Sequence, residues 1–180
     1  MVAFLYRIPA GIPGDVNRSF GARVEAINVT PFGTTGAPTA YGVPMVVDQT
    51  GGNVGNARTV QAADTAALIY GILVRPYPSQ SLPVVTAGTG LYNDPFGAGV
   101  PPAKGPVDVL RAGYISVLLS GSTAAAKGAP VYIWTAAPSG QHITGGFEAT
   151  NPSTNGIALN NTYFMGPADA NGNTEIMFNL

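Results

Sequence analysis

The chain contains no cysteine and a single histidine, His142. Without thiols, disulfide frameworks and thiolate metal sites are excluded. A Ser-His-Asp or Cys-His catalytic site needs a histidine, and the only one stands in Gln141-His142-Ile143, which reads as a solvated position at the start of a strand. Charge is scarce as well. Asp, Glu, Lys and Arg make up 9% of the residues and the net charge is −1, against roughly 25% charged residues in an ordinary soluble domain. The eight Lys and Arg residues are scattered singly, which argues against a surface that tracks nucleic-acid phosphates. No apolar run approaches the roughly 18–20 residues of a membrane helix. The opening apolar stretch is about five residues long with Arg7 behind it, which is not the order of a signal peptide. The expectation is a chain made in the cytosol, with no nucleic-acid or membrane partner.

Motifs that carry chemistry are missing too. Neither Gly-x-Ser-x-Gly nor Gly-x-x-x-x-Gly-Lys-Ser/Thr occurs, so the nucleophile elbow and the phosphate-cradling loop are absent. Residues 169–175 resemble a calcium loop in part, but Gly172 stands fourth rather than sixth and Leu180 occupies the twelfth position, where a calcium loop needs a bidentate Glu. The nine carboxylates show no spacing that suggests a glycosidase pair. No catalytic residue, cofactor or metal is assigned, and the chain is expected not to be an enzyme.

What is present is 24 glycines and 16 prolines beside 46% hydrophobic residues. Many short strands joined by tight turns account for that combination. Strand-like runs cover residues 2–8, 22–29, 41–47, 57–62, 67–75, 82–86, 107–110, 114–119, 130–135, 141–144, 156–159, 162–165 and 174–179. Two of them alternate clearly. Val131 and Ile133 oppose Tyr132 and Trp134, and Ile176 and Phe178 oppose Glu175 and Met177, the two-residue period of a half-buried strand. Helical signal is confined to about one turn at 124–127, too short to stand alone, so a turn or a 3₁₀ piece is expected there. Asn171-Gly172 reads as the turn of a hairpin into the C-terminal strand. Residues 79–105 read as a long ordered loop rich in Gly and Pro.

The first eighteen residues stand apart. Pro9, Gly11, Pro13 and Gly14 preclude a helix or a regular strand past Ile8, yet Phe4, Leu5, Tyr6, Ile8, Ile12 and Val16 are more apolar than a disordered tail allows. Residues 1–18 are therefore expected to be an extended docking arm on a β body spanning 19–180. Arg7, Arg18, Arg75 and Arg111 each lie beside a strand end or turn. In so sparsely charged a chain they are expected to pair with carboxylates such as Asp15 or Asp108, or to face an interface.

The motif Tyr6-Arg7-Ile8-Pro9-x-Gly11-Ile12-Pro13-Gly14-Asp15-Val16-x-Arg18 resembles the opening of structural cement proteins of tailed bacteriophages, the Gp24-like capsid cement and decoration family. Further matches are Ala40-Tyr41-Gly42-x-Pro44, Tyr70-Gly71-x-Leu73-Val74-Arg75-Pro76-Tyr77-Pro78 and Asp108-Val109-Leu110-Arg111-x-Gly113-Tyr114. Lys127-Gly128-x-Pro130-Val131-Tyr132-Ile133 and Ala168-Asp169-x-Asn171-Gly172 are similar to head-decoration proteins more widely. The resemblance implies an all-β protein, a single small jelly-roll or barrel-like domain, on the outer surface of a phage head. It implies two partners: a major capsid protein of the HK97-type fold, and a second copy, with a dimer favoured over a trimer. Phe4, Tyr6, Arg7, Ile8, Ile12, Pro13, Asp15 and Arg18 are the expected capsid or subunit contacts. The alternative is a virion-surface carbohydrate-binding or adhesion module, with Tyr77, Tyr92 and Phe96 as its exposed aromatics.

Overall fold

The computed structural model describes residues 11–29, 36–49, 54–62, 64–76 and 101–180. The structure is all-β, as expected, and among the described residues there is no α-helix. The strands are β1 (Val16–Val29), β2 (Pro44–Val47), β3 (Ala57–Thr59), β4 (Ile69–Leu73), β5 (Gly105–Leu118), β6 (Pro130–Trp134), β7 (Phe147–Glu148), β8 (Gly156–Phe164) and β9 (Asn173–Asn179). They form one sheet, ordered β1-β3-β2-β4-β5-β9-β8-β6-β7, in which β1 also pairs with β5.

The sheet closes on itself twice, the first time through that extra pairing. β1, β3, β2, β4 and β5 make one ring of neighbours, through antiparallel pairs and one parallel contact, Val29 with Ala57. β5, β9, β8, β6 and β7 make a second, shut by a parallel bridge between Leu119 and Phe147. The fourteen-residue β5 belongs to both rings. Closure removes sheet edges that would otherwise recruit other chains.

The core follows the rings. Val29, Met45, Ala57, Leu73, Val107 and Val109, drawn from all five strands of the first ring, form one buried cluster with Tyr41. Ile115, Val117, Val131, Ile133, Phe147, Leu159, Phe164, Ile176 and Phe178 come from all five strands of the second. Val46, Ile72 and Leu110 join this second cluster from the outer face of the first ring. β2 and β4 are therefore buried on both sides, with Met45, Val46, Ile72 and Leu73 all inaccessible to solvent. That double burial is why both read as continuous apolar runs, whereas β6 and β9 alternate.

Several elements differ from the sequence expectation for local reasons. The runs at 107–110 and 114–119 are one strand, because Gly113 takes φ +135° where Ala22 crosses; a Cβ there would lie 3.1 Å from the Ala22 Cα. The runs at 156–159 and 162–165 are likewise one strand, with Asn161 at φ +52° absorbed as a bulge. Residues 141–144 form only a bridge, Ser139 with His142. Residues 66–68 make a 3₁₀ turn ahead of β4. The run at 124–127 ends in a turn, as expected, closed by the Ala129 N–H on the Ala126 carbonyl at 3.0 Å. The boundary expected at residue 18 falls inside β1, which begins at Val16. The runs at 2–8 and 82–86 lie outside the described residues, as does most of the loop expected at 79–105.

Candidate docking surface

Residues 11–15 are tied to the body by backbone hydrogen bonds. The Gly14 N–H donates to the Ser116 carbonyl (2.9 Å), Arg75 N–H to Gly14 (2.8 Å) and Ser116 N–H to Asp15 (2.9 Å). The chain crosses itself here with two glycines in contact. Gly14 has φ +91° and Gly42 φ +72°; a Cβ on Gly14 would lie 2.6 Å from the Tyr41 Cβ, and one on Gly42 2.6 Å from the Gly14 nitrogen. Both conformations are ones L side chains avoid. Gly42→Ala is therefore expected to destabilise the fold by about 2–5 kcal/mol, from the left-handed backbone and the overlap together. Urea denaturation of the purified variant measures it.

Above this crossing, three arginines lie on tyrosine rings beside carboxylates. Arg18 sits 4.2 Å from the centroid of Tyr114 and grips Glu175 with two hydrogen bonds, of 3.2 Å from Nε and 2.6 Å from Nη2. Its hydrogen bond to Glu175 holds its pKa above the ordinary arginine value. Arg75 lies 4.9 Å from the Tyr41 centroid, donates to the Pro13 carbonyl and has Asp15 at 4.0 Å. Burial pushes the Tyr41 phenol up, with Arg75 opposing it. Arg111 lies 3.9 Å from the Tyr70 centroid and 3.5 Å from Glu25, and donates to the Tyr70 carbonyl. The Tyr70 hydroxyl donates to Glu25 at 2.7 Å, which raises its pKa, with burial adding to the shift. The pairing expected for Arg18, Arg75 and Arg111 thus exists, with Asp15 among the partners and Asp108 replaced by Glu25 and Glu175. These contacts fix the ring faces to the arginine planes.

A fourth arginine, Arg58, is also largely enclosed. It bonds Asp48 at 2.6 Å and Asp64 through a fork of 2.7 and 2.9 Å. Asp64 also accepts the Gln61 N–H at 2.7 Å, so it organises this cluster rather than capping the 3₁₀ turn that follows. His142 is equally far from the solvated reading. Its ring stacks on Trp134 at 4.3 Å, and its Nδ1 meets the buried Glu148 at 2.9 Å. Ser120 donates to the same carboxylate at 3.0 Å. The serine therefore faces the carboxylate and not the imidazole, which is not the order of a nucleophilic triad. Among the described residues no three His, Asp or Glu side chains converge as a metal site.

The most exposed large apolar side chain among the described residues was not among the expected contacts. Phe20 is 97% accessible. Between the pairs Arg18–Tyr114 and Arg23–Ala112, β1 carries four residues, 19–22, where β5 carries only Gly113. The surplus bulges outward, turning at Gly21 with φ +77° and placing Phe20 at the bulge. Strands on both sides of the bulge are paired, so the aromatic ring stands in water on a fixed support. The signal available in the sequence was Ser19-Phe20-Gly21, an aromatic before a glycine between two strand segments.

Of the expected contacts, Phe4, Tyr6, Arg7 and Ile8 lie outside the described residues, as do Tyr77, Tyr92 and Phe96. Ile12 is partly exposed at the start of the crossing, and Pro13 and Asp15 face Arg75. Arg18 is half-exposed on the strand that carries Phe20. Ile12, Arg18 and Phe20 are thus among the described side chains of this region that reach solvent, with Asn17 and Ser19 beside them.

The model of one protein family, the XM1 gp53 minor capsid protein, matches residues 1–178. No curated protein matches the chain. Among solved structures, a chain in the capsid of Myoviridae phage XM1 superposes with a TM-score of 0.65 at 19% identity, covering 98% of this chain and 95% of that one. That likeness carries the fold. The family match extends over nearly all of the sequence, and with it the chain belongs to the XM1 gp53 minor capsid protein family, a structural protein of the phage capsid.

Proposed function

We propose that this capsid protein is a non-enzymatic cement, or decoration, protein. It binds the outer surface of the head, contacts a major capsid protein of the HK97-type fold and bridges neighbouring capsomers. The observation that carries the reading is Phe20, an aromatic ring held in water on a paired strand. Leaving it exposed forgoes about 1.5–3 kcal/mol of burial, and aromatic anchors of this kind concentrate binding energy at interfaces. Sparse charge supports the same reading, because a surface poor in charge is better suited to lying against protein than to free solution. A clip of this sort works by multivalency: once one capsomer is held, the neighbouring contact forms at high local concentration.

The arm is the second half of the proposal. Residues 11–15 are anchored to the body, so Phe4, Tyr6, Arg7 and Ile8 are delivered from a fixed point beside Ile12. Fixed proline φ angles lower the cost of ordering such a segment on docking, and residues 2–8 suit addition to an exposed strand edge. Deleting residues 1–10 is expected to leave the melting temperature of the body unchanged and to weaken head binding at least about tenfold, the loss of one modest anchor. Deleting residues 1–18 is expected to lower the melting temperature as well, since it removes the crossing and the start of β1. Undiminished binding after the shorter deletion would take the arm out of the mechanism.

A further inference from the structure

We propose that His142 is a proton-operated latch on the seam that closes the second ring. The seam is narrow. β7 is two residues long. Beside the Leu119–Phe147 bridge, the Ser120 N–H donates to the Phe147 carbonyl (2.7 Å) and the Gly121 N–H to the Gln141 carbonyl (3.1 Å). Three segments therefore meet here: residues 119–121 after β5, the turn at 139–146, and β7. The Glu148 carboxylate joins them. Its Oε1 accepts the Ser120 hydroxyl and meets His142 Nδ1 at 2.9 Å. Its Oε2 lies against Gly121, where a Cβ would overlap it. The Ile143 N–H, from the turn, reaches the Ser120 Oγ at 3.4 Å.

The proton matters because the carboxylate is enclosed. Only 4% of the Glu148 side chain is accessible, and among the described residues no lysine or arginine pairs with it. A buried carboxylate without a counter-charge is costly, and His142 stands where it can supply one. Two contacts favour the charged ring: the carboxylate beside Nδ1, and the face of Trp134, stacked at 4.3 Å and within cation–π range. Glu148 is the titratable group that faces the ring; Ser120 after β5 and Trp134 from β6 are uncharged. With 35% of the His142 side chain accessible, the ring exchanges its proton with water while the chain stays folded. Histidine changes charge between about pH 5 and 8. In that range the folded pair holds a proton that the unfolded chain gives up sooner, so stability falls as pH rises. The neutral ring still reaches the carboxylate as its Nδ1–H tautomer, so the seam loosens without coming apart.

Urea denaturation of the full-length protein across this pH range tests the latch against His142→Gln, which keeps a donor and loses the charge. Between about pH 6 and 8 the unfolding constant of the wild type is expected to rise about tenfold more than that of the variant, the effect of one adjacent opposite charge. His142 is the only histidine, so a single imidazole NMR signal reports its charge. That signal should change as stability does, and Glu148→Gln should move the change to lower pH. Protection of the Ser120 and Gly121 amides against hydrogen exchange, taken relative to their intrinsic rates, should fall in step. Parallel stability profiles for the wild type and His142→Gln would overturn the proposal. So would an imidazole signal that a folded Glu148→Gln variant leaves in place, or seam amides whose protection ignores the charge on the ring. The stability and exchange readouts stand without the Glu148 variant.

Discussion

Phe20→Ser is expected to leave the free protein as stable as before and to weaken its binding to phage heads by about 30-fold or more. The first half rests on exposure. With 97% of the residue in water, the ring has almost no intramolecular contact to lose, and surface substitutions of this kind stay within about 0.5 kcal/mol. For a chain of this size that corresponds to about 2 °C in melting temperature. The second half rests on what a buried aromatic contributes at an interface, about 2 kcal/mol or more for a central anchor, which is about 30-fold in Kd. The two halves together separate docking from folding. Unchanged binding by a folded Phe20→Ser variant would remove the bulge from the docking surface. A large fall in stability would mean that the ring packs within the chain.

Arg58→Ala is expected to act in the opposite sense, on stability first. Arg58 is the shared partner of Asp48 and Asp64, at 2.6 and 2.7 Å, and all three side chains are largely withdrawn from solvent. The guanidinium's pKa lies above its ordinary value, chiefly through its hydrogen bond to Asp64 and against the pull of burial. Removing it leaves two enclosed carboxylates without their counter-charge, which costs about 3–5 kcal/mol. The melting temperature should fall by roughly 6–20 °C. Arg18→Ala provides the contrast. Arg18 itself is half exposed and Glu175 keeps a second donor in Asn17, so its loss is expected to cost clearly less than that of Arg58. Its effect should appear in head binding. Differential scanning calorimetry of the two variants checks the order, and equal melting temperatures would contradict it.

The two variants also mark where the sequence was legible. The all-β class could be read because glycine and proline punctuate apolar runs of strand length, and β6 and β9 alternate as half-buried strands must. The scarcity of charge made each arginine conspicuous, and Arg18, Arg75 and Arg111 do meet carboxylates. Which carboxylates they meet was not legible, since Arg18–Glu175 joins residues 157 positions apart and depends on β5 lying between β1 and β9. The same holds for His142 and Arg58, whose partners are set by turns rather than by period. Gly113 and Asn161 fall in the gaps between the expected runs, because glycine and asparagine usually interrupt a strand. Here each carries a positive φ inside a continuous strand. Phe20 was missed for the same reason: a bulge inverts exposure locally, and no two-residue period survives it.

The central claim is that the chain adds to the outside of an assembled head and strengthens it. The direct measurement mixes purified protein with expanded heads that lack it, pellets them through sucrose, and counts bound copies per major capsid subunit. Saturation at a fixed ratio, with the decorated heads holding their DNA to a higher temperature than bare ones, is the result expected. A folded protein that stays in the supernatant at every ratio, or that binds without changing the temperature of DNA release, would contradict the account.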